Sequence, residues 1–357
     1  MSWKKAVFLL ALVLSAAAPA AEKYQAPALS SQDSWSMIVL PDTQNYIKFR
    51  RNYGILDLMI GWIYTNASAL KIQQVLTVGD LVGYNDAGAV RDKNDLLGKE
   101  QWKAFSRVMS RLDGYVPYVL CAGNHDFGVD SSENRNSYLS EFFPTDRNPR
   151  SRKQLIGCAP NAFGVVTLEN AAYEFTAPAP DGRKFLVISL EFSPRIEVLE
   201  WAKKLVDEPR FANHIGIVVT HSYMFHTGPR IGPEKYAVSK AGGQSGEEIW
   251  AKLVYPAKNI RMVICGHVVC GQQLISGMRT DKNSAGKDVV QMVFNAQNVG
   301  GGKHGNGGDG WLRILEFMPD KKTVKASSFS PFFAVSPSTQ HLAWNKSASC
   351  EFTFVIE

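Results

Sequence analysis

The chain has 357 residues, 45% of them apolar and 20% charged, proportions of a globular protein rather than a disordered or fibrous one. Its formal charge of +6 is mild, and no basic run with interleaved aromatics accompanies it, which argues against a nucleic-acid surface. Five cysteines, Cys121, Cys158, Cys265, Cys270 and Cys350, leave at least one unpaired and form no CxxC spacing.

In chain order, Lys4 and Lys5 precede the apolar stretch Ala6 to Leu14, which runs into small residues and an Ala18-Pro19-Ala20 triplet. A basic start, a short apolar core and a small-residue cleavage triplet predict a secretory signal peptide over residues 1–20. The apolar run is too short to span a bilayer comfortably, and no later run is longer, so no membrane span is expected. The expected mature protein, residues 21–357, is exported, either periplasmic or secreted. Losing two lysines takes its charge from +6 to +4, which suits an anionic substrate.

Five short Val/Ile-rich runs come next: Ser36 to Leu40, Val75 to Val78, Tyr118 to Cys121, Ile215 to Val219 and Met262 to Cys265. Continuous apolar runs of this length predict strands buried on both faces of a sheet. Ile55 to Leu70, Lys99 to Leu112 and Glu197 to Val206 have helical spacing, and the alternation predicts a layered α/β fold. Tyr173 to Thr176 and Lys184 to Phe192 predict a strand pair across a Pro-rich turn, and Val289 to Asn295, Trp311 to Phe317 and Phe352 to Ile356 predict further strands. With no repeat and no linker, one domain is expected. Asp130 to Asn161 reads as a loop-like insertion (about 130–161), and Gly300 to Gly310 as a flexible loop. Cys121 and Cys265 sit in apolar runs as buried thiols, and Cys158 with Cys350 is a possible bridge.

The chemistry lies immediately after each buried run: Asp42-Thr43-Gln44, Gly79-Asp80, Gly123-Asn124-His125-Asp126, His221, and Gly266-His267. In open α/β sheets ligands bind at the carboxyl ends of strands. Each residue alone reads as a cap or turn. Together they bring nitrogen and oxygen donors to one edge, and metal binding accounts for the set economically. Asn45, Tyr46, His226 and Arg230 lie close after these motifs and are weaker pocket candidates.

The ordered set resembles the calcineurin-like metallophosphoesterases, whose pattern is D-x-H, GD, GNH-[DE], a lone H and GH-x-H. The resemblance runs from Asp42 to His267 and implies a two-sheet β-sandwich flanked by helices, with metals at the strand ends. It implies that Asp80 bridges two divalent ions (Mn, Fe, Zn, Mg or Ca), and that Asn124, His221 and His267 complete one site. Asp42 binds the other ion, and His125 faces the leaving group, steadied by Asp126.

Two positions depart from the pattern. Gln44 replaces the His of the first motif, and Val269 replaces the second His of the last. A Gln oxygen suits hard cations, whereas Val coordinates nothing. Cys270, Gln272 and His304 are candidates to repair that site. The expected activity is hydrolysis of a small-molecule or polymeric phosphate mono- or diester by metal-activated water, with His125 as general acid. The alternative is a catalytically impaired binding protein on the same fold.

Overall fold

The computed structural model describes residues 24–90 and 95–357. The expected signal peptide lies outside the described residues. In chain order the strands are β1 (Trp35–Leu40), β2 (Ile72–Thr77), β3 (Tyr118–Val119), β4 (Leu155–Pro160), β5 (Val166–Thr176), β6 (Lys184–Ser189) and β7 (Ile215–Val219). They continue with β8 (Ile260–Cys265), β9 (Ile275–Lys282), β10 (Asp288–Asn295), β11 (Leu312–Phe317), β12 (Thr323–Phe329), β13 (Trp344–Asn345) and β14 (Phe352–Val355).

They form two sheets. The first has the order β13-β12-β11-β1-β2-β3, with β14 also paired to β12, and the second the order β4-β5-β6-β7-β8-β10-β9. β1, β2 and β3 run parallel in the first sheet. In the second, β6, β7, β8 and β10 run parallel.

Alternation along each strand explains the layering. Phe185 and Val187 of β6 pack between the sheets with Met37, Val39 and Phe317 of the first sheet. Leu186 and Ile188 face the other way, onto Leu199 and Leu205 of the helix Ile196–Val206 and onto Leu253. A strand covered on both faces needs apolar residues at every position, hence the unbroken runs in the sequence. Helices Tyr53–Asn66 and Gly98–Met109 cover the first sheet in the same way, burying Leu56, Ile60, Trp102 and Phe105. This is the two-sheet α/β sandwich expected. No helix among the described residues is long and apolar enough to cross a membrane.

Three expectations are corrected. The segment from Asp130 is not a plain loop: it carries helices Leu139–Phe142 and Pro149–Gln154 and ends in β4, which pairs with β5. The Gly-rich segment is held in place rather than loose. Gly310 donates its N–H to the Tyr46 hydroxyl at 3.0 Å, and Arg51 donates to the Lys303 carbonyl at 2.7 Å. Cys158 and Cys350 are both free, because Cys158 lies in the second sheet and Cys350 just before β14 of the first. Cys121 and Cys265 are buried thiols, as their apolar neighbours implied.

A candidate metal centre at the strand ends

The parallel strands of both sheets end at one edge, where Asp42 follows β1, Asp80 follows β2, Asn124 follows β3, His221 follows β7 and His267 follows β8. Close approach there is tight. A Cβ on Gly79 would lie 2.4 Å from the His221 Nδ1, and Gly79 also adopts a positive φ of 103°. Asp80 and His267 take left-handed φ of 49° and 68°, conformations that non-glycine residues rarely adopt and that cluster at functional sites.

Four donor atoms converge. The Asn124 Oδ1 lies 3.0 Å from His221 Nε2 and 2.9 Å from His267 Nδ1. The two imidazole nitrogens are 3.1 Å apart, and Asp80 Oδ1 is 3.3 Å from His221 Nε2. The outer nitrogens fix the tautomers. His221 Nδ1 faces the Val78 carbonyl at 2.7 Å, and His267 Nε2 faces a Glu234 carboxylate oxygen at 2.9 Å. Each outer nitrogen must donate, so in the neutral rings both inner nitrogens present lone pairs. Two imidazole lone pairs, an amide oxygen and a carboxylate oxygen facing one another repel unless a positive charge sits among them. Donor atoms sharing a cation at roughly 2.0–2.1 Å stand about 3 Å apart, which is the spacing here. The set fits a divalent ion.

Electrostatics point the same way. Burial opposes charge on His221, yet the Asp80 and Asp42 carboxylates outweigh it and push its pKa up to about 10. Burial also works against the Asp80 charge, but His221 and His125 hold that carboxyl below its ordinary value. Burial leaves Asp42 well above the usual carboxylate range. Ligand atoms of Asp42, Asp80 and His221 all lie within 4.8 Å of one another.

The other predicted position is assembled differently. The Gln44 Nε2 donates to Asp80 Oδ2 at 2.7 Å, which puts the amide beside that carboxylate. Asp42 accepts from the His267 N–H at 3.2 Å and from the Asn295 side chain at 2.7 Å. Val269 is 45% exposed on the cavity wall. Of the three repair candidates, Gln272 and His304 line an adjoining cavity and Cys270 is exposed. Asp42 and Asp80 bring carboxylate oxygens to this position, Gln44 turns its amide NH2 to Asp80, and neither Gln44 nor Val269 supplies the imidazole of the motif.

Asp126 departs from its expected role. Its carboxylate accepts backbone N–H groups from Leu81 at 3.1 Å, Val82 at 3.0 Å and Gly123 at 2.7 Å, tying the β2 and β3 loops together. The His125 ring is steadied instead by the Asp130 carbonyl, 2.9 Å from Nδ1, and meets Tyr84 edge-on. Burial pushes the His125 pKa down to about 4.

Arg230 is spent on Asp281, Gln291 and Tyr223 rather than on a ligand. Asn45 donates to the Gln297 carbonyl, Tyr46 is fully buried, and His226 does not line the cavity at the metal ligands. Glu234, Asn295 and Ser131, which accepts from the Asn124 amide at 2.8 Å, join the site from outside the sequence motifs. Asn295 ends a predicted strand, the same signal that exposed the others. Glu234 lies in a Gly-Pro loop with no periodic signal.

The two-sheet fold, with these residues at its strand ends, is that of a known family. The chain matches the calcineurin-like phosphoesterase family over residues 38–271 and belongs to it. It is 25% identical over 303 residues to the uncharacterized protein YvnB of Bacillus subtilis (strain 168). That match covers 85% of this chain, and the chain spans 20% of that relative's length. A solved structure described as GAP50, the anchor in the inner membrane complex of Plasmodium, has the same fold, with a TM-score of 0.50 at 13% identity over 91% of this chain and 90% of that one.

Proposed function

We propose that this protein hydrolyses a phosphate mono- or diester in an exported location, with one divalent cation held by Asp80, Asn124, His221 and His267 and a second position offered by Asp42, Asp80 and Gln44. The observation that carries the proposal is the convergence of two imidazole nitrogens, an amide oxygen and a carboxylate oxygen, each imidazole held from outside through its other nitrogen. Bound there, a divalent cation supplies charge to polarise the phosphoryl group and to acidify a water.

The residues of the chain do the rest. The Asn124 side chain is fixed by Ser131, so it does not rotate away from the ligand set. His125 lines the cavity with Nδ1 tied to Asp130, which leaves Nε2 for substrate. In hydrolysis, oxygen from water bonds to phosphorus and the bond to the leaving oxygen breaks. In this reading His125 Nε2 passes that oxygen its proton, a role typically worth about 10²–10⁴-fold. Burial favours the neutral ring, so in this reading the proton that Nε2 passes on is taken up before the leaving oxygen departs. Export is supported by the leader-like residues 1–20 and is tested by N-terminal sequencing of the mature protein.

A second reading, a binding protein on the same fold, is favoured by Val269 and by the Gln44 amide turned to Asp80. One experiment separates them: metal per chain on purified protein, with hydrolysis of activated mono- and diesters across Mn²⁺, Zn²⁺, Mg²⁺ and Ca²⁺. Metal-dependent turnover establishes the enzyme. Bound metal without turnover favours the binding reading, and no bound metal defeats the site assignment.

A further inference from the structure

Two cavities meet at the strand-end site. The larger, about 540 Å³, is lined by Asp80, Asn124 and His267 and also by an apolar wall. That wall includes Phe225 and Val269, large apolar side chains left 42% and 45% exposed, with Ile231 beside them. Apolar surface gathered at the mouth of a polar site marks a place where ligand packs.

The smaller cavity, about 350 Å³, shares Gln44, His125 and Gln297 with the larger one. Its character is opposite. Lys48, Lys303 and His304 line it, and no described residue in the lining carries a carboxylate. The Lys303 ammonium and the His304 ring make no ion pair or hydrogen bond among the described residues, while the Lys303 carbonyl is pinned by Arg51. At the junction, the Gln297 Oε1 is buried without a hydrogen-bond partner.

We propose that the substrate is a phosphodiester with unlike arms, an apolar arm against Phe225 and Val269 and an arm ending in an anionic group at Lys303 and His304. The proposal rests on the phosphoesterase reading above and deepens it. A phosphoryl group at the metal ligands sits where the cavities join. A monoester has one arm and fills only one of them. A cationic, carboxylate-free cavity selects a negative group, although an exposed ammonium contributes modestly.

The test uses the full-length, Mn²⁺-loaded protein and three substrates: p-nitrophenyl phosphate, p-nitrophenyl ethyl phosphate and p-nitrophenyl 2-carboxyethyl phosphate. The carboxyethyl diester should exceed the ethyl diester in kcat/KM by about fivefold, and Lys303→Ala with His304→Ala should bring that ratio close to one. Phe225→Ser should raise KM for both diesters about threefold with little change in kcat. Equal kcat/KM for the diesters, a ratio that survives the double substitution, a preference for the monoester, or a KM unmoved by Phe225→Ser overturns the proposal.

If no ester turns over, the enzymatic reading fails and the subsite is still measurable by calorimetry. 3-Phosphonopropionate should then bind about fivefold tighter than methylphosphonate, with the difference lost in the double variant. Equal binding of the two phosphonates rejects the anionic subsite.

Discussion

His125 and His267 are both held by one nitrogen, His125 by a backbone carbonyl and His267 by the Glu234 carboxylate. Their substitutions should therefore fail in different ways. His125→Ala should leave metal content alone and slow poor leaving groups by about 10²–10⁴-fold, with far less effect on a very good one. An equal loss on both would remove the general-acid role. Glu234→Gln takes the charge from behind His267 and should weaken metal affinity by about 10–100-fold, read by competition with a chelator. An unchanged affinity would make Glu234 a bystander. Val269→His restores an imidazole on the cavity wall and should add or tighten a metal at the Asp42 position, read as metal per chain. No change there would mean the oxygen donors already saturate it.

The loop from Val299 to Gly310 is the element the sequence described least well. It connects the end of β10 in the second sheet to the start of β11 in the first, crossing the edge that carries the candidate site. Six of its seven glycines take positive φ, whereas Gly305 serves close packing. A Cβ on Gly305 would lie 1.8 Å from the Gly300 carbonyl oxygen, although φ at Gly305 is not positive. Gly305→Ala should destabilise the protein by about 1–3 kcal/mol in urea unfolding. A change under about 0.3 kcal/mol would show the loop to be loose after all. Composition alone cannot separate glycine chosen for freedom from glycine chosen for contact, because the contact partner, Gly300, is known only once the loop is folded.

At the scale of the whole molecule, the sandwich buries ionisable groups outside the site. Glu169 on β5 is 1% exposed; one oxygen accepts from Asn161 at 3.2 Å and the other has no partner. Burial pushes its pKa from 4.5 up to about 7. Between those values the folded chain keeps a proton that the unfolded chain releases. Its contribution to stability is thus full below about pH 4.5 and lost as pH rises through about 7. Glu169→Gln should flatten that decline, by up to about 3 kcal/mol between the two limits, in urea unfolding across pH. Identical pH slopes in the two proteins would show that Glu169 titrates as an exposed group.

The sequence by itself determined the layered fold and most of the polar cluster at the strand ends, since strands buried on both faces must be continuously apolar and the residues just past each strand end are free to carry chemistry. Asp42, Asp80, Asn124, His221 and His267 were legible for that reason. The tertiary structure decided what depends on pairs far apart in the chain. Glu234 acts on His267 across 33 positions and Asn295 on Asp42 across 253, and no local pattern encodes either separation. It also moved Asp126 from the histidine ring to the β2 loop. A carboxylate satisfies whichever N–H groups surround it once buried, and three backbone donors lay within reach.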